Sequence, residues 1–251
     1  MYKQIRFYEE LSMNSHVALH TQFFDGWLLR TADGYTNRAN SVGVLYPSTL
    51  DITSKIEYCE DFYFNQDQDC VFKLTDGDED LDKMLERRGY VVKTPTDCMV
   101  MDLKKCSFVK PDRKGLKVII TEKPDEEWLD AFFIYEDRRD ERIQNTAKQM
   151  FDLIKSQALY CRIVNNEKTI ACASAVVERG YMLLFNVIVD EQCRGRKYGQ
   201  MLCEALLSKA IEEGAHTAYL QVVEENQIAM NLYKKLGYKK IYSYWYRIKK
   251  K

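Results

Sequence analysis

The chain has 251 residues, with 37 Lys and Arg against 38 Asp and Glu, and a formal net charge of −1. That length makes one large domain or two small ones with a sizeable core, and the charge balance gives no electrostatic basis for nucleic acid or an anionic membrane as main partner. No apolar run is long enough to span a bilayer, and no signal-peptide core follows Met1-Tyr2-Lys3-Gln4-Ile5-Arg6.

The eight cysteines, at 59, 70, 98, 106, 161, 172, 193 and 203, form no Cys-x-x-Cys pair, and His16, His20 and His216 do not cluster with them. This argues against a metal site. Thiols scattered on apolar stretches predict reduced side chains in a cytoplasmic protein.

Residues 4–21 read as a helix, with a turn at Asp25-Gly26, a strand at 27–32 and a second turn at Asp33-Gly34. Ser41 to Tyr46 reads as a strand closed by Pro47. Ser48 or Thr49 is the expected cap of a helix carrying Ile52, Ile56, Cys59 and Phe62 on one side. A strand at 71–74, a helix with Leu81, Met84 and Leu85 ended by Gly89, and strands at 91–92 and 99–103 complete a first domain, residues 1–105. Residues 106–115 hold Lys110-Pro111-Asp112-Arg113-Lys114-Gly115 and read as a linker. A second domain, 116–251, opens with a strand at 116–121. Two helices follow, one from Pro124 with Trp128, Phe132 and Tyr135, the other at 141–153. A hairpin then joins 158–164 to 169–177.

The most informative stretch follows. Met182 to Val189 is an apolar run with β-branched residues and reads as a buried strand. After Asp190-Glu191-Gln192-Cys193 comes Arg194-Gly195-Arg196-Lys197-Tyr198-Gly199-Gln200. Tyr198, Met201, Leu202, Ala205, Leu206 and Ala210 then recur at helical spacing up to Gly214. A strand that enters a basic, glycine-bearing turn opening a helix is an anion site. The first helical N–H groups are unsatisfied, the dipole favours negative charge, and glycine admits close approach. A pyrophosphate is the natural guest. A strand at 219–223 and a helix from Asn226 follow, ending in Leu236-Gly237-Tyr238.

These two segments resemble the GNAT acetyltransferases. Arg194 and Gly199 match the ends of motif A, Arg/Gln-x-x-Gly-x-Gly/Ala, with Lys197 where the family usually has its first glycine. Asn226-x-x-Ala229-x-x-Leu232-Tyr233 with Leu236-Gly237-Tyr238 matches motif B, in the same order and spacing. The resemblance covers about residues 116 to 250. It implies a mixed-sheet α/β (α+β) GNAT fold and acetyl-CoA as co-substrate, without a metal. It also implies transfer of the acetyl group to a primary amine of a small molecule or peptide. By the same resemblance Tyr233 is the catalytic acid that protonates the leaving thiolate. Asn226 contacts the pantetheine or phosphate arm, the backbone of Val187 and Val189 pairs with pantetheine, and Arg194, Gly195, Arg196, Lys197, Tyr198 and Gly199 hold the pyrophosphate. A phenol of pKa about 10 suits that acid role.

The order strand, helix, strand, helix, Gly-Tyr, strand pair describes 182–248, and it also describes 41–103. The N-terminal half is therefore read as a degenerate, partial GNAT-like half without a cofactor site, in the manner of a bacterial group with such an extra half. Leu85 stands there in place of Tyr233, Asp78 in place of Asn226, and Tyr46-Pro47-Ser48-Thr49 offers no glycine or basic residue. The base is not readable: Glu178, Asp190, Glu224, Glu225 and a water on Asn186 stay open. Tyr135, Glu136, Arg138 and Arg139 fall where the family shapes its acceptor pocket. A non-catalytic acyl-CoA-binding sensor or scaffold with a GNAT fold is the alternative function. The oligomeric state is not legible.

Overall fold

The computed structural model describes residues 2–108 and 113–251. Residues 109–112, the Pro-containing part of the expected linker, lie outside the described residues. The chain forms two compact units. Unit 1 is Met1–Asp97, Thr146–Leu153 and Tyr242–Lys251; unit 2 is Cys98–Asn145 and Ile154–Ile241. The boundaries therefore differ from a single break at 106–115, because the last ten residues are grouped with the N-terminal unit.

In unit 1, α1 (Tyr2–Ser15) precedes β1 (His20–Phe24) and β2 (Trp27–Thr31). The predicted helix over 4–21 is thus shorter, since His20 pairs with Thr31 and pulls its neighbours into a hairpin. Phe24 pairs with Trp27 across Asp25-Gly26, whose φ values of 43° and 83° suit a two-residue hairpin turn. Next come β3 (Val42–Val44), α2 (Ile52–Phe64), β4 (Cys70–Thr75) and α3 (Glu79–Arg87). Asp51, not Ser48 or Thr49, caps α2 by accepting from Ser54 N. β3 and β4 run parallel, as a strand–helix–strand crossover requires, and β4 pairs antiparallel with the end of β11 (Lys239–Lys249). Trp27, Leu29, Ile56, Tyr63, Phe72 and Leu74 form the core of this unit. The two short strands expected at 91–92 and 99–103 are one strand, β5 (Val91–Asp102), in which the unit boundary falls.

Unit 2 follows the expected order: β6 (Leu116–Thr121), α4 (Glu126–Tyr135), α5 (Glu141–Leu153), β7 (Gln157–Asn165), β8 (Lys168–Glu178), β9 (Tyr181–Val189), α6 (Tyr198–Glu212), β10 (Thr217–Val223) and α7 (Gln227–Leu236). The last residues of α5, from Thr146, belong to unit 1. β6 to β9 are an antiparallel series, and β9 and β10 are parallel with α6 as their crossover. One face of this sheet buries Leu159, Cys161, Ala171, Ala173 and Leu184 against Leu202, Leu206 and Ala210 of α6. The small residues of β8 let the helix approach closely. The architecture is α/β with a mixed sheet, as the sequence predicts.

Candidate active site

The site is built where β9 and β10 part. Their register runs from Tyr181–Thr217 to Leu184–Leu220 and goes no further, so Asn186 to Val189 continue without β10 opposite them. A register shift between Cys172 and Ser174 of β8 accompanies this, and Asn186 takes φ +53° inside the strand. A bulge with a left-handed residue re-aims a strand. Asn186 Nδ2 donates to Ser174 Oγ at 3.3 Å, which ties the bulge to β8. Val187 and Val189 are half-buried, and their side chains pack on the core.

Beyond Val189, Asp190 starts a 3-10 turn, Glu191–Cys193, and accepts from Gln192 N at 3.0 Å. Its other oxygen takes the Lys168 ammonium at 2.7 Å, and that bond is the main reason its carboxyl stays below the usual carboxylate range. Asp190 is therefore engaged as a cap and an ion pair. Among the other candidate bases, Glu178 pairs with Arg179 at 3.2 Å, Glu224 with Lys240 at 3.6 Å, and Glu225 is exposed.

Arg194, Gly195, Arg196 and Lys197 are exposed, and Arg194 pairs with Glu191 at 3.2 Å. Gly195 and Lys197 have φ of 78° and 65°. The N-cap of α6 is Lys197 itself, with no side-chain cap. The amides of Gly195 to Gln200 donate to no carbonyl among the described residues; the next amide, Met201 N, donates to Lys197 O at 3.0 Å. Six consecutive open donors, three cationic side chains and a helix dipole make a strong anion receptor. Lys197 occupies a left-handed position that suits glycine, so the departure from motif A carries a backbone strain.

Tyr198 is buried in the core. A Cβ added to Gly199 would lie 3.4 Å from Leu232 Cδ2 and 3.8 Å from Val189 Cγ2. Both distances are ordinary van der Waals contacts, so packing against α7 and β9 does not by itself demand glycine at this position. Asn226 caps α7, its Oδ1 accepting from Ala229 N at 3.1 Å, which leaves its amide NH₂ for other partners.

Tyr233 lies in the last turn of α7, nine-tenths buried, with its ring edge-on to Tyr238 at 5.9 Å between centroids. Burial raises its phenol well above the ordinary value, with a smaller push from Cys203. No hydrogen bond to its hydroxyl is found among the described residues. Gly237, at φ 104°, ends the helix in the left-handed form and lets Tyr238 N reach Tyr233 O at 3.0 Å. The Leu-Gly-Tyr sequence is therefore a helix stop that fixes the tyrosine.

Sequence reasoning missed Arg113, whose Nη1 donates to Arg196 O at 3.0 Å. It stands alone between a proline-containing stretch and a strand, with no pattern to mark it. Tyr135, Glu136, Arg138 and Arg139 lie at the end of α4 and just after it. An open depression of about 590 Å³ there is lined by Asp137, Arg138, Arg139, Asp140 and Ile143, and by none of the turn residues. No group of His, Cys, Asp and Glu that would hold a metal occurs among the described residues, and no helix among them is long and apolar enough to cross a membrane.

The family model described as "Probable histone acetyltransferase Rv0428c C-terminal" matches residues 3–247. A curated relative from Bacillus subtilis (strain 168), "Uncharacterized N-acetyltransferase YobR", is 28% identical over 252 residues, covering 98% of this chain and 99% of its own. A GCN5-related N-acetyltransferase from Kribbella flavida superposes with TM-score 0.72 at 16% identity, over 98% of this chain and 94% of that one. A tandem GNAT protein from the clavulanic acid biosynthesis pathway does so with TM-score 0.71 at 12% identity, over 96% and 86%. The two-unit architecture, the parted strands and the open turn agree with this match along nearly the whole chain: the protein belongs to that acetyltransferase family and is a GNAT-type N-acetyltransferase.

Proposed function

We propose that the protein transfers an acetyl group from acetyl-CoA to a primary amine of a small molecule or peptide, by direct attack on the thioester. The observation that carries this reading is the run of open amides from Gly195 to Gln200 at the end of a strand whose β10 neighbour has parted from it. An ester of CoA has the matching parts. Its pyrophosphate suits the open amides and the charges of Arg194, Arg196 and Lys197. Its amide-bearing arm suits the edge of β9 at Val187 and Val189 that β10 leaves open, and the NH₂ of Asn226.

Within this reading Tyr233 is the catalytic acid. Burial keeps the Tyr233 phenol protonated at neutral pH. Giving that proton to a thiolate, whose thiol has pKa about 8.5 in water, is uphill. The transfer therefore requires the thiolate to form in the same water-excluded site, where desolvation raises its basicity too. The amine must lose its own proton before attack, because a lysine-like amine has pKa about 10.4. The acceptor is a small molecule or peptide. The test is consumption of acetyl-CoA, followed by thiol release, across free lysine, short peptides, an aminosugar and a polyamine. Turnover of one class supports the reading. Absence of acetyl-CoA binding by calorimetry overturns it.

A further inference from the structure

The phosphate-binding turn poses a mechanical problem. It is exposed, it carries Arg194, Arg196 and Lys197 side by side, and two of its residues hold left-handed backbone angles. Like charges repel, and a non-glycine left-handed residue costs about 1–2 kcal/mol. Left alone, such a turn would sample other conformations before an anion arrived. One tie to another part of the chain is on view. Arg113, 83 residues earlier, donates from Nη1 to the carbonyl of Arg196 at 3.0 Å, and the same nitrogen lies 4.0 Å from Met201 Sδ in the first turn of α6.

We propose that Arg113 is a positioning residue for the cofactor's pyrophosphate, acting through the peptide plane it grips. A trans peptide is planar, so its C=O and N–H point in opposite directions. Holding the Arg196 oxygen therefore fixes the direction of the Lys197 N–H, one of the six open donors. It also holds Lys197 in its left-handed state, at the N-cap of α6. Arg113 adds a fourth positive charge to the turn. Its described action, however, is on a carbonyl, and a charged donor to a carbonyl is a strong hydrogen bond. The order of the turn before binding is what this bond supplies, and preordering raises affinity by lowering the entropy lost on binding.

The proposal rests on the acetyl-CoA reading, and the experiment separates the two. Acetyl-CoA and acetyl-dephospho-CoA are titrated by calorimetry into the parent, Arg113→Met and Arg113→Lys, at low salt and at 0.5 M salt. Methionine keeps an apolar stem beside Met201 but cannot donate; lysine can. Thermal melting controls for folding. The expected result is that Arg113→Met binds both esters about tenfold more weakly, with the same melting temperature and the same deficit at high salt. Arg113→Lys should recover most of the affinity. Four outcomes overturn the proposal: unchanged affinity in Arg113→Met, a loss confined to the ester with the 3′-phosphate, a deficit that high salt abolishes, or no recovery in Arg113→Lys. A parent that binds neither ester overturns the cofactor reading itself, and this proposal with it.

Discussion

The carboxylate of Asp25 accepts the backbone N–H of Thr49 at 2.9 Å. It also takes the Thr49 hydroxyl at 2.6 Å, the Leu50 N–H at 2.9 Å and the buried Lys55 ammonium at 3.1 Å. These bonds, the Thr49 hydroxyl foremost, hold its carboxyl far below the usual range. The turn between β3 and α2 is the counterpart in unit 1 of the turn between β9 and α6 in unit 2. In unit 1 its amides are already bound to an anion belonging to the chain. We therefore expect one acetyl-CoA per chain, measured by calorimetric stoichiometry. Two sites per chain would refute this. Asp25→Ala should lower the melting temperature, because it leaves Lys55 buried without its carboxylate.

Tyr233→Phe keeps the ring beside Tyr238 and removes only the hydroxyl. If that hydroxyl protonates the thiolate, kcat should fall about 10²- to 10⁴-fold with acetyl-CoA affinity unchanged. Because the hydroxyl has no partner among the described residues, the melting temperature should stay near that of the parent. A variant as active as the parent on its best amine would return Tyr233 to a packing role.

Lys197→Gly removes a side chain from a residue at φ 65°. Relief of the left-handed strain is expected to raise unfolding stability by about 1 kcal/mol in urea titrations. The ammonium is lost as well, so acetyl-CoA affinity should fall modestly at low salt and converge with the parent at high salt. A drop in stability would show that the strain assigned to Lys197 is not real.

Asp82 in α3 grips Arg247 of β11 with both oxygens, at 2.8 and 2.7 Å, and takes the Trp245 indole N–H at 2.6 Å. The Arg247 bonds hold its carboxyl below the ordinary value. A carboxyl with a depressed folded pKa adds stability that is full above its unfolded pKa of about 3.9. That stability disappears as pH falls through the folded value. Asp82→Asn should lower stability at pH 7, because Arg247 then keeps only its longer contact with the Glu86 carboxylate at 3.5 Å. It should also flatten the acid limb of the stability curve. An unchanged acid limb would exclude this pair as a contributor.

The expected strand, turn and helix order of unit 2 could be read because burial imposes strong periodicity, as in Met201, Leu202, Leu206 and Ala210 on α6. β1 could not, because its residues face solvent or a sheet edge, and nothing in His20-Thr21-Gln22 marks a strand. The N-cap is Asp51 and not Ser48 or Thr49 because α2 begins at Ile52, while the Thr49 hydroxyl donates to Asp25, 24 residues away, and the Ser48 hydroxyl accepts from Lys55. The surroundings of Gly199 were hidden for the same kind of reason. Its neighbour Leu232 lies on another helix, and local sequence carries no record of that approach. Motif residues were legible as positions. Their conformations, such as Lys197 left-handed and Gly237 as a helix stop, came only with the backbone.

The pairing of β4 with β11, from Cys70 opposite Lys249 to Thr75 opposite Tyr244, has a consequence in time. A chain leaving the ribosome presents β4 early and β11 only after the strands β6 to β10. Until then β4, whose residues are all buried in the finished protein, has one open edge. The first half to be synthesised is thus the last to be completed, and unit 2 has all of its own strands β6 to β10 before that happens. Slow translation between β4 and β11 should prolong the interval in which that bare edge can recruit a wrong partner.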